Sequence, residues 1–424
     1  MKQIKIEGGH QLTGTIRISG AKNSAVALVP ASLLSDGVVT IDNIPDISDI
    51  NALNEILEYL GAKVKRTGET MTIDSSTVQN KEIPEHISKK LRASYYFMGA
   101  LLGKYKKVEM YFPGGCSIGT RPINLHLKGF EALGAKVVEE GNKYIITADE
   151  LIGANIYLDI PSVGATINIM LAAIKAIGET VIENAAKEPE IVNVATFLNN
   201  MGANIKGAGT SEIRIIGVKK LGNCFSEVIP DRIEAGTYVI AGALMGNNLK
   251  IENIIPEHIE ALTLKLKEMG VNIDVHSDYL IINRTEQMKP VKIKTLGFPG
   301  FATDLQQPIT ALLIHCNGTA QLEETIYENR FQNIEYLNKM GANITISDRI
   351  IDIKGPTNLV GCEVKATDLR AGACLILAGL SARGTTTITE VEHVLRGYEN
   401  IIEKLQAVGA KLTLEEVDLA NDKI

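Results

Sequence analysis

One short pattern occurs six times in the 424-residue sequence. In each copy an amphipathic stretch ends in an apolar residue, which is followed by glycine and an alternating run, as in "LEYLGAKV" and "LNKMGANI". A glycine at this point can adopt the left-handed conformation that ends a helix, and the alternation is typical of a strand. The six glycines lie 68 to 73 residues apart, at Gly61, Gly134, Gly202, Gly270, Gly341 and Gly409. The pattern predicts six modules of one design.

A second helix is predicted upstream of each glycine. Its sequence is apolar on nearly every side, which is typical of a helix buried inside a domain. A strand is expected between the two helices, and a hairpin is expected after the glycine. The six inner helices begin near Ser19, Lys90, Ser162, Asp231, Thr303 and Thr367. Each module is therefore a buried helix, a strand, a loop, an outer helix and further strands, which makes the fold class α/β.

The chain is too long for one ordinary core, so two domains are expected. The sixth module lacks a return strand after "AKLTLEE", and the N-terminal segment resembles the links between modules. We therefore expect residues near 2–20 to complete the last module. This predicts a domain of residues 22–229 and a discontinuous domain of residues 1–21 plus 230–424, with the active site in the cleft between them. An open solenoid is the alternative, but solenoids usually have shorter units and polar caps.

Composition narrows the classes of partner. A hydrophobic fraction of 45% and a charged fraction of 22% are those of a soluble globular protein, and a net charge of −7 argues against nucleic acid as a general partner. No apolar run approaches the roughly 18 residues of a membrane span, and the first residues alternate like a strand, so we expect a cytoplasmic protein without a membrane partner. Five cysteines without a C-x-x-C pair argue against disulfides and a zinc site. No P-loop or Rossmann pattern is present, and neither a metal nor a cofactor is expected.

Basic residues recur at two positions of the module. Lys22, Arg92 and Arg370 lie at the starts of inner helices, where the helix dipole disfavours a cation. Such a violation is expected where an anion binds. Loops before the outer helices carry Arg121, Arg330 and Arg396. Because Arg binds phosphate and carboxylate through paired hydrogen bonds, a cleft lined by these groups suits a substrate with several negative charges.

Two aspartates begin inner helices, Asp304 in "TDLQQP" and Asp368 in "TDLR". Either could serve as a helix N-cap. Asp304 has a second possible role as a base, if a substrate hydroxyl comes within hydrogen-bond reach. His126 and His393 have no partner pattern and are interpreted as ordinary polar side chains.

The stretch "FPGGCSIGTRP" places Cys116 among three glycines and near Arg121. A free cysteine is usually a small buried hydrophobe. That role fits the other four, Cys224, Cys316, Cys362 and Cys374. At Cys116 the glycines predict an exposed loop, and Arg121 would lower the thiol pKa from about 8.5 towards neutrality. Cys116 is therefore a candidate acid or nucleophile on a lid that closes over substrate.

Seven stretches, in order along the chain, resemble one family. They are "GAKNSAVAL", "PGGCSIGTRP", "SVGAT", "PGFATDLQ", "ENRF", "TDLRAGA" and "LRGYENI". The sequence resembles the UDP-N-acetylglucosamine 1-carboxyvinyltransferases, the enolpyruvyl transferases that begin peptidoglycan synthesis. The family's fold is a two-domain inside-out α/β barrel with three βαβαββ units per domain, in agreement with the six modules. The resemblance implies transfer of the enolpyruvyl group of phosphoenolpyruvate to the 3′-hydroxyl of UDP-N-acetylglucosamine, with phosphate released from a tetrahedral ketal.

The resemblance also implies residue roles. Cys116 would donate a proton and form a covalent phosphoenolpyruvate adduct, so the epoxide fosfomycin is expected to inactivate the protein. Asp304 would lie beside the 3′-hydroxyl as base or final proton acceptor. The groups implied around phosphoenolpyruvate are Lys22, Asn23, Arg121, Arg330, Arg370 and Arg396, with Lys22, Arg121 and Arg396 at its phosphate. Those implied at the UDP-sugar are Asn23, Arg92, Arg121, Pro122, Ile123, Asn124, Leu125, Ile160, Pro161, Ser162, Val163, Asp304 and Ile326.

Two positions depart from the family, which commonly has Asp at Asn124 and often Lys at Ile160. Both lie on the nucleotide side, so they concern uridine affinity more than catalysis. One alternative is 5-enolpyruvylshikimate-3-phosphate synthase, but its basic "K-S-x-S-N-R" start is absent at "AKNSAVAL" in this chain, and that enzyme has no counterpart to the "GGCSIG" segment found here. The other is a non-catalytic UDP-sugar-binding regulatory paralogue, which would not need Lys22, Cys116, Asp304 and Arg396 together.

Overall fold

The computed structural model describes residues 2–112 and 122–416 of the chain. These residues form two compact units. The N-terminal unit contains residues 20–112 and 122–229, and the C-terminal unit contains residues 2–19 and 230–416. Each unit has its own buried apolar core.

The first two strands of the chain belong to the C-terminal unit. They are β1 (Lys2–Glu7) and β2 (Leu12–Arg17). In β1 the buried Ile4 and Ile6 alternate with more exposed polar residues, as expected of a strand with one face against a core. In β2 Leu12 and Ile16 are buried, and the three residues between them are exposed.

The N-terminal unit contains helices α1 to α7 and strands β3 to β13. In chain order they are α1 (Lys22–Ala31), β3 (Val38–Asp42), α2 (Ser48–Leu60), β4 (Lys63–Thr67), β5 (Thr70–Asp74), α3 (Glu85–Ser88), α4 (Tyr96–Tyr105), β6 (Lys107–Tyr111), α5 (Asn124–Ala132), β7 (Lys136–Glu140), β8 (Lys143–Thr147), β9 (Asn155–Tyr157), α6 (Val163–Ala173), β10 (Glu179–Glu183), α7 (Pro189–Asn200), β11 (Asn204–Lys206), β12 (Glu212–Ile216) and β13 (Cys224–Glu227).

The C-terminal unit adds helices α8 to α14 and strands β14 to β23. In chain order they are α8 (Arg232–Met245), β14 (Gly246–Glu252), α9 (Glu260–Met269), β15 (Asn272–Val275), β16 (Tyr279–Asn283), β17 (Lys292–Lys294), α10 (Gln306–Leu313), β18 (Gly318–Glu323), α11 (Asn333–Lys339), β19 (Asn343–Ser347), β20 (Ile350–Gly355), β21 (Glu363–Lys365), α12 (Leu369–Ser381), β22 (Thr385–Thr389), α13 (Glu392–Leu395), α14 (Ile401–Ala407) and β23 (Lys411–Glu416).

The six sheets share one plan. In five modules the strand after the inner helix pairs antiparallel with the last strand of a hairpin, and in the sixth that strand, β22, pairs antiparallel with β1. In five sheets it also pairs parallel with a strand from a link between modules. The sheet orders are β13-β3-β5-β4, β6-β8-β7 and β11-β12-β10-β9 in the N-terminal unit, and β15-β16-β14-β2, β17-β18-β20-β19 and β21-β22-β1-β23 in the C-terminal unit. In the three-stranded sheet, β6-β8-β7, a single parallel bridge between Ile83 and Met110 of β6 takes the place of that parallel strand. The six-module α/β prediction is confirmed.

Strand β1 supplies the return strand that the sixth module lacks. It lies antiparallel between β22 and β23, with Ile4 opposite both Ile388 and Leu414. The expectation that the N-terminal segment completes the last module is confirmed for β1. Strand β2 has a different place, since it runs parallel to β14 in the sheet of the fourth module.

The inner helices α1, α4, α6, α8, α10 and α12 are mostly buried, as their apolar sequences predict. Helix α6, for example, is buried without interruption over residues 165–173. The six repeated glycines all have positive φ, between 86° and 106°. A residue with a side chain is strained in that conformation, which explains why glycine follows each outer helix. Within residues 2–112 and 122–416, no helix combines the length and apolar character needed to cross a membrane.

Candidate active site

Asp304 lies in a single 3-10 turn, Thr303–Leu305, which leads into helix α10. Ala302 occupies the capping position of this turn, so of the two roles considered for Asp304 the N-cap is not the one it has. The reason is that the carboxylate is engaged by side chains instead of the helix backbone. Asp368 does cap α12, accepting hydrogen bonds from the backbone N–H of Arg370 at 2.8 Å and of Ala371 at 3.0 Å.

Two arginines bind the carboxylate of Asp304, one at each oxygen. Nη2 of Arg330 donates to Oδ1 at 2.7 Å, and Nη2 of Arg370 donates to Oδ2 at 3.2 Å. The two arginine side chains are 3% and 5% exposed, whereas Asp304 is 25% exposed. Two buried cations therefore share an anion that still reaches solvent.

The electrostatics of this cluster keep Asp304 ionised. Burial alone would raise its carboxyl pKa, but the guanidinium groups of Arg370, Arg330 and Arg232 outweigh that effect and hold the pKa far below its usual value. Burial also acts to lower the pKa of Arg370, and it is overcome by Tyr398 and Asp304, so the pKa of Arg370 is raised. In this arrangement Asp304 is a weak base.

Each arginine also lies near a tyrosine ring, and Arg330 makes one more hydrogen bond. Nη1 of Arg330 donates to Oγ1 of Thr303 at 2.8 Å, and its guanidinium lies 5.0 Å from the ring centre of Tyr327. The guanidinium of Arg370 lies 5.3 Å from the ring centre of Tyr398.

In the N-terminal unit, Lys22 is the first residue of α1, and its Nζ lies 2.8 Å from Oδ2 of Asp49, in the first turn of α2. Asn23 follows it on the same helix. Lys22 and Arg370 were interpreted as signs of a bound anion because they begin helices. The structure supplies an anion of the chain itself at both positions, Asp49 at one and Asp304 at the other. At Lys22 and Arg370 the cation at the helix start therefore has a carboxylate partner within the chain, and the binding of a substrate anion there and at Arg92 stays a prediction.

Arg92 lies in a 3-10 turn, Arg92–Tyr95, close to a cluster formed by Tyr95, His126 and Asn168. Its guanidinium is 6.0 Å from the ring centre of Tyr95, which packs edge-on against His126. The His126 Nδ1 atom and the Asn168 amide are 3.0 Å apart. Burial, with a smaller effect of Arg92, lowers the pKa of His126 to about 3, so the ring is neutral. His126 is thus a packed core histidine, in line with its interpretation as an ordinary polar residue.

The other residues implied at the UDP-sugar fall at helix starts and exposed turns. Ser162 caps α6 by accepting from the N–H of Ala165 at 3.2 Å, and Val163 is the first residue of that helix. Ile160 is 63% exposed, and Pro161 is exposed beside it. Ile326 is exposed in the C-terminal unit. Before and within α5, Pro122 and Asn124 are exposed, and Ile123 and Leu125 are buried.

Arg396 directly follows α13 and is half-buried. Cys116 and Arg121 lie outside the described residues, so their predicted roles stay predictions. Of the other cysteines, Cys316 and Cys374 are buried, as predicted, whereas Cys224 and Cys362 are half-buried. Burial raises the thiol pKa of Cys224 to about 11 and those of Cys316 and Cys374 to about 12, which makes these thiols unreactive at neutral pH. No three His, Cys, Asp or Glu residues among those described lie together in a way that could hold a metal ion.

Sequence reasoning missed two carboxylates of these clusters, Asp49 and Glu324. Glu324 is fully buried and accepts a hydrogen bond from Thr303 Oγ1 at 2.8 Å. The sequence does contain a signal for the burial of Glu324. Residues two apart lie on the same face of a strand, so Glu324 continues the face of Ala320 and Leu322, which are apolar. A carboxylate on a core-facing position requires a partner inside. Asp49 carries no comparable signal, since an acidic residue in the first turn of a helix is ordinary.

Comparison with known proteins identifies the family of this chain. The family model described as EPSP synthase (3-phosphoshikimate 1-carboxyvinyltransferase) matches residues 6–405. The protein named UDP-N-acetylglucosamine 1-carboxyvinyltransferase 2 from Geobacillus kaustophilus is 53% identical over 423 residues, which is 99% of both chains. The proteins of that name from Bacillus subtilis and Listeria monocytogenes are 53% identical, covering 99% of both chains, and 54% identical, covering 97% of both chains.

Solved structures give the same assignment of fold. The enolpyruvyl transferase NikO from Streptomyces tendae has a TM-score of 0.89 at 27% identity, covering 97% of this chain and 98% of its own. EPSP synthase from Acinetobacter baumannii has a TM-score of 0.76 at 19% identity, covering 98% of this chain and all of its own, a likeness that concerns the fold alone. From the full-length matches in sequence and fold, the chain belongs to the enolpyruvyl transferase family and, within it, to the UDP-N-acetylglucosamine 1-carboxyvinyltransferases.

Proposed function

We propose that this protein transfers the enolpyruvyl group of phosphoenolpyruvate to the 3′-hydroxyl of UDP-N-acetylglucosamine and releases inorganic phosphate. The product is a precursor of peptidoglycan. Relatives with half of their residues identical over the whole length carry the name of this enzyme, which favours the UDP-sugar as acceptor.

The observation that carries the proposal is the pairing of Asp304 with two buried arginines. A carboxylate that reaches solvent can approach a substrate hydroxyl, and guanidinium groups at 2.7 and 3.2 Å from it can bind an anionic substrate at the same place. Phosphoenolpyruvate has a carboxylate and a phosphate, and enolpyruvyl transfer requires a proton acceptor next to positive charge.

The reaction proceeds in two balanced steps. In the addition, the 3′-hydroxyl oxygen bonds to C2 of phosphoenolpyruvate, the hydroxyl proton passes to Asp304, and the methylene carbon receives a proton from Cys116. The resulting ketal carries phosphate, carboxylate and a methyl group on one carbon. In the elimination, the bond from C2 to the phosphate oxygen breaks and the departing phosphate takes the proton held by Asp304. The methyl group returns a proton to the Cys116 thiolate, and the double bond forms again.

Asp304 becomes an adequate base only when its arginines have another anion to bind. With both guanidiniums on Asp304 its carboxyl pKa is far too low for efficient proton abstraction. When the carboxylate of phosphoenolpyruvate takes the hydrogen bonds of Arg330 and Arg370, the pKa of Asp304 rises. The remaining proposed contacts are Lys22, Arg121 and Arg396 at the phosphate, and Asn23 at the sugar and the intermediate. The nucleotide contacts proposed are Arg92, the segment 122–125, the segment 160–163 and Ile326.

Two other functions compete with this proposal. Transfer to shikimate 3-phosphate is the reaction named by the family model, but this chain is only 19% identical to the EPSP synthase of known structure. A non-catalytic UDP-sugar-binding regulator would have no use for the Asp304 cluster.

The test is phosphate release from phosphoenolpyruvate, measured with UDP-N-acetylglucosamine and separately with shikimate 3-phosphate. We expect release with the UDP-sugar alone, loss of release in Cys116→Ala, and stoichiometric inactivation of the wild type by fosfomycin. The matched control is Cys224→Ala, because that thiol has a pKa of about 11 and should neither react nor contribute. Release with shikimate 3-phosphate alone would favour the second function, and a folded protein that releases phosphate with neither acceptor would favour the regulator.

A further inference from the structure

Glu324 is a carboxylate buried in the C-terminal unit, directly after strand β18. Its neighbour Glu323 has the opposite environment, since that side chain is exposed and lies 3.2 Å from Nζ of Lys294 at the surface. A buried carboxylate is costly unless its oxygens accept several hydrogen bonds. The contacts of this carboxylate therefore show what its burial achieves.

Four donors converge on Glu324. Oε1 accepts from Oγ1 of Thr295 at 3.0 Å and from the backbone N–H groups of Ile326 and Tyr327 at 2.8 and 3.2 Å. Oε2 accepts from Oγ1 of Thr303 at 2.8 Å. All four donors are neutral, so these contacts hold the carboxylate without neutralising it. Glu324 thereby connects the turn that carries Asp304 to the loop that carries Arg330.

The hydroxyl of Thr303 transmits the effect of Glu324 to Arg330. A hydroxyl has one hydrogen, and that hydrogen points to Oε2 of Glu324. A lone pair of the same oxygen is therefore left for Nη1 of Arg330, which donates to it at 2.8 Å. Nη2 of Arg330 then lies on Asp304 at 2.7 Å. The hydrogen bonds run in one direction, from Arg330 through Thr303 to Glu324.

The guanidinium of Arg330 has few other restraints in the described part of the chain. Its Nε is buried and meets no acceptor among residues 2–112 and 122–416. The Tyr327 ring covers one side but accepts no directed hydrogen bond from it that would fix rotation in the plane. The in-plane orientation of the guanidinium therefore rests on Thr303 and Asp304.

We propose that Glu324 is a positioning residue for enolpyruvyl transfer, which sets Thr303 as a hydrogen-bond acceptor and so orients Arg330 towards Asp304 and the carboxylate of phosphoenolpyruvate. This inference rests on the proposed function. Glu324 does not touch substrate, and it acts through the geometry of Arg330.

The test is the steady-state kinetics of Glu324→Gln, with Glu323→Gln as the matched control on the adjacent residue. Glutamine keeps the size of Glu324, but its amide group has one oxygen and one NH2. It can therefore accept either from Thr303 or from the donors that bind Oε1 of Glu324, and its NH2 faces the donors that are left. We expect kcat/KM for phosphoenolpyruvate to fall at least tenfold in Glu324→Gln, while the KM for UDP-N-acetylglucosamine changes less than twofold. Glu323→Gln should stay within twofold of the wild type for both substrates.

Substitutions of Thr303 separate positioning from a general loss of structure. Thr303→Ser keeps the hydroxyl and should retain activity near the wild-type value, whereas the isosteric Thr303→Val should lose as much kcat/KM as Glu324→Gln. Because both residues act on Arg330 along one path, the double variant Thr303→Val/Glu324→Gln should lose less than a further twofold. Circular dichroism at the assay temperature confirms that each variant is folded.

Three results would overturn the inference: unchanged kinetics in Glu324→Gln, multiplicative losses in the double variant, or an equal effect on the KM values of both substrates. Failure of the proposed function has a different signature, because the wild type itself would then release no phosphate with the UDP-sugar.

Discussion

Replacing Asp304 with alanine should destabilise the C-terminal unit in addition to removing the proposed base. The substitution leaves Arg330 and Arg370, which are 3% and 5% exposed, without the carboxylate that binds both of them. Removing one partner of a buried ion pair typically costs about 3–5 kcal/mol, because the remaining charge is buried and uncompensated. Asp304 is 25% exposed, and water can enter the vacated space, so we expect the lower end, about 3 kcal/mol.

The assay is thermal unfolding followed by calorimetry. For a domain of this size, 1 kcal/mol corresponds to about 2–4 °C, so the transition of the C-terminal unit should shift down by about 6–12 °C. Asp274→Ala is the matched control, since that carboxylate is 70% exposed and pairs with His276 at the surface, where ion pairs contribute little. Added formate should raise the melting temperature of Asp304→Ala more than that of the wild type, because a small carboxylate can occupy the vacated position between the arginines.

A melting temperature within 1 °C of the wild type, or above it, would refute this reasoning about Asp304. That result would mean that other groups neutralise the two arginines. It would also remove the electrostatic reason for regarding Asp304 as a weak base before substrate binds.

Two further predictions concern His126 and Asn168, which lie together in the N-terminal unit. Burial, with a smaller effect of Arg92, lowers the pKa of His126 to about 3, whereas a histidine of the unfolded chain takes up a proton near pH 6.5, at about its ordinary pKa. Between about pH 6.5 and pH 3 the unfolded chain therefore binds a proton at His126 that the folded protein does not bind. Because of this residue the free energy of unfolding should fall by about 2 kcal/mol from pH 7 to pH 5, and it should fall further towards pH 3. Urea unfolding of His126→Gln should show a decline smaller by that amount, and equal declines in both proteins would contradict the prediction. Gly99→Ala should destabilise the same unit by about 1–3 kcal/mol or more, because a Cβ atom there would lie 2.3 Å from both Asn168 O and Asn168 Oδ1. Gly222→Ala is its control, since the nearest atom to an added Cβ is 4.0 Å away, and equal unfolding midpoints for the two variants would show that Asn168 can move aside.

Local signals were sufficient to predict the modules. The glycine after each outer helix and the apolar inner helix are each recognisable within about ten residues of sequence. The glycine is needed for the backbone conformation that ends the helix, and the apolar residues are needed for burial. The role of β1 could also be predicted, because the missing strand of the sixth module and the unused strand at the N-terminus have the same pattern. The Asp368 cap is a contact between neighbours in sequence.

The contacts of the site could not be predicted in the same way. Arg330 and Arg370 lie 26 and 66 residues from Asp304 in sequence, and no local pattern states that their side chains meet on one carboxylate. The resemblance to a family supplied the identity of these residues, whereas the geometry shows that the cations are paired within the protein and that Asp304 is a weak base in this state. The burial of Glu324 could be predicted from the alternation of its strand, but its hydrogen bond from Thr303, and the bond from Arg330 to Thr303, could not.

The position of β1 between β22 and β23 has a consequence for the order in which the chain folds during synthesis. Strand β1 is synthesised about four hundred residues before β23, so the sheet that holds β1 between β22 and β23 cannot be completed until β23 has been made. Residues 20–229, in contrast, leave the ribosome as one segment and can fold while the remainder is still being made. Until β22 and β23 have been made, the nascent chain carries β1 without these partner strands, and Lys2 and Lys5 place charge on β1, which opposes its aggregation.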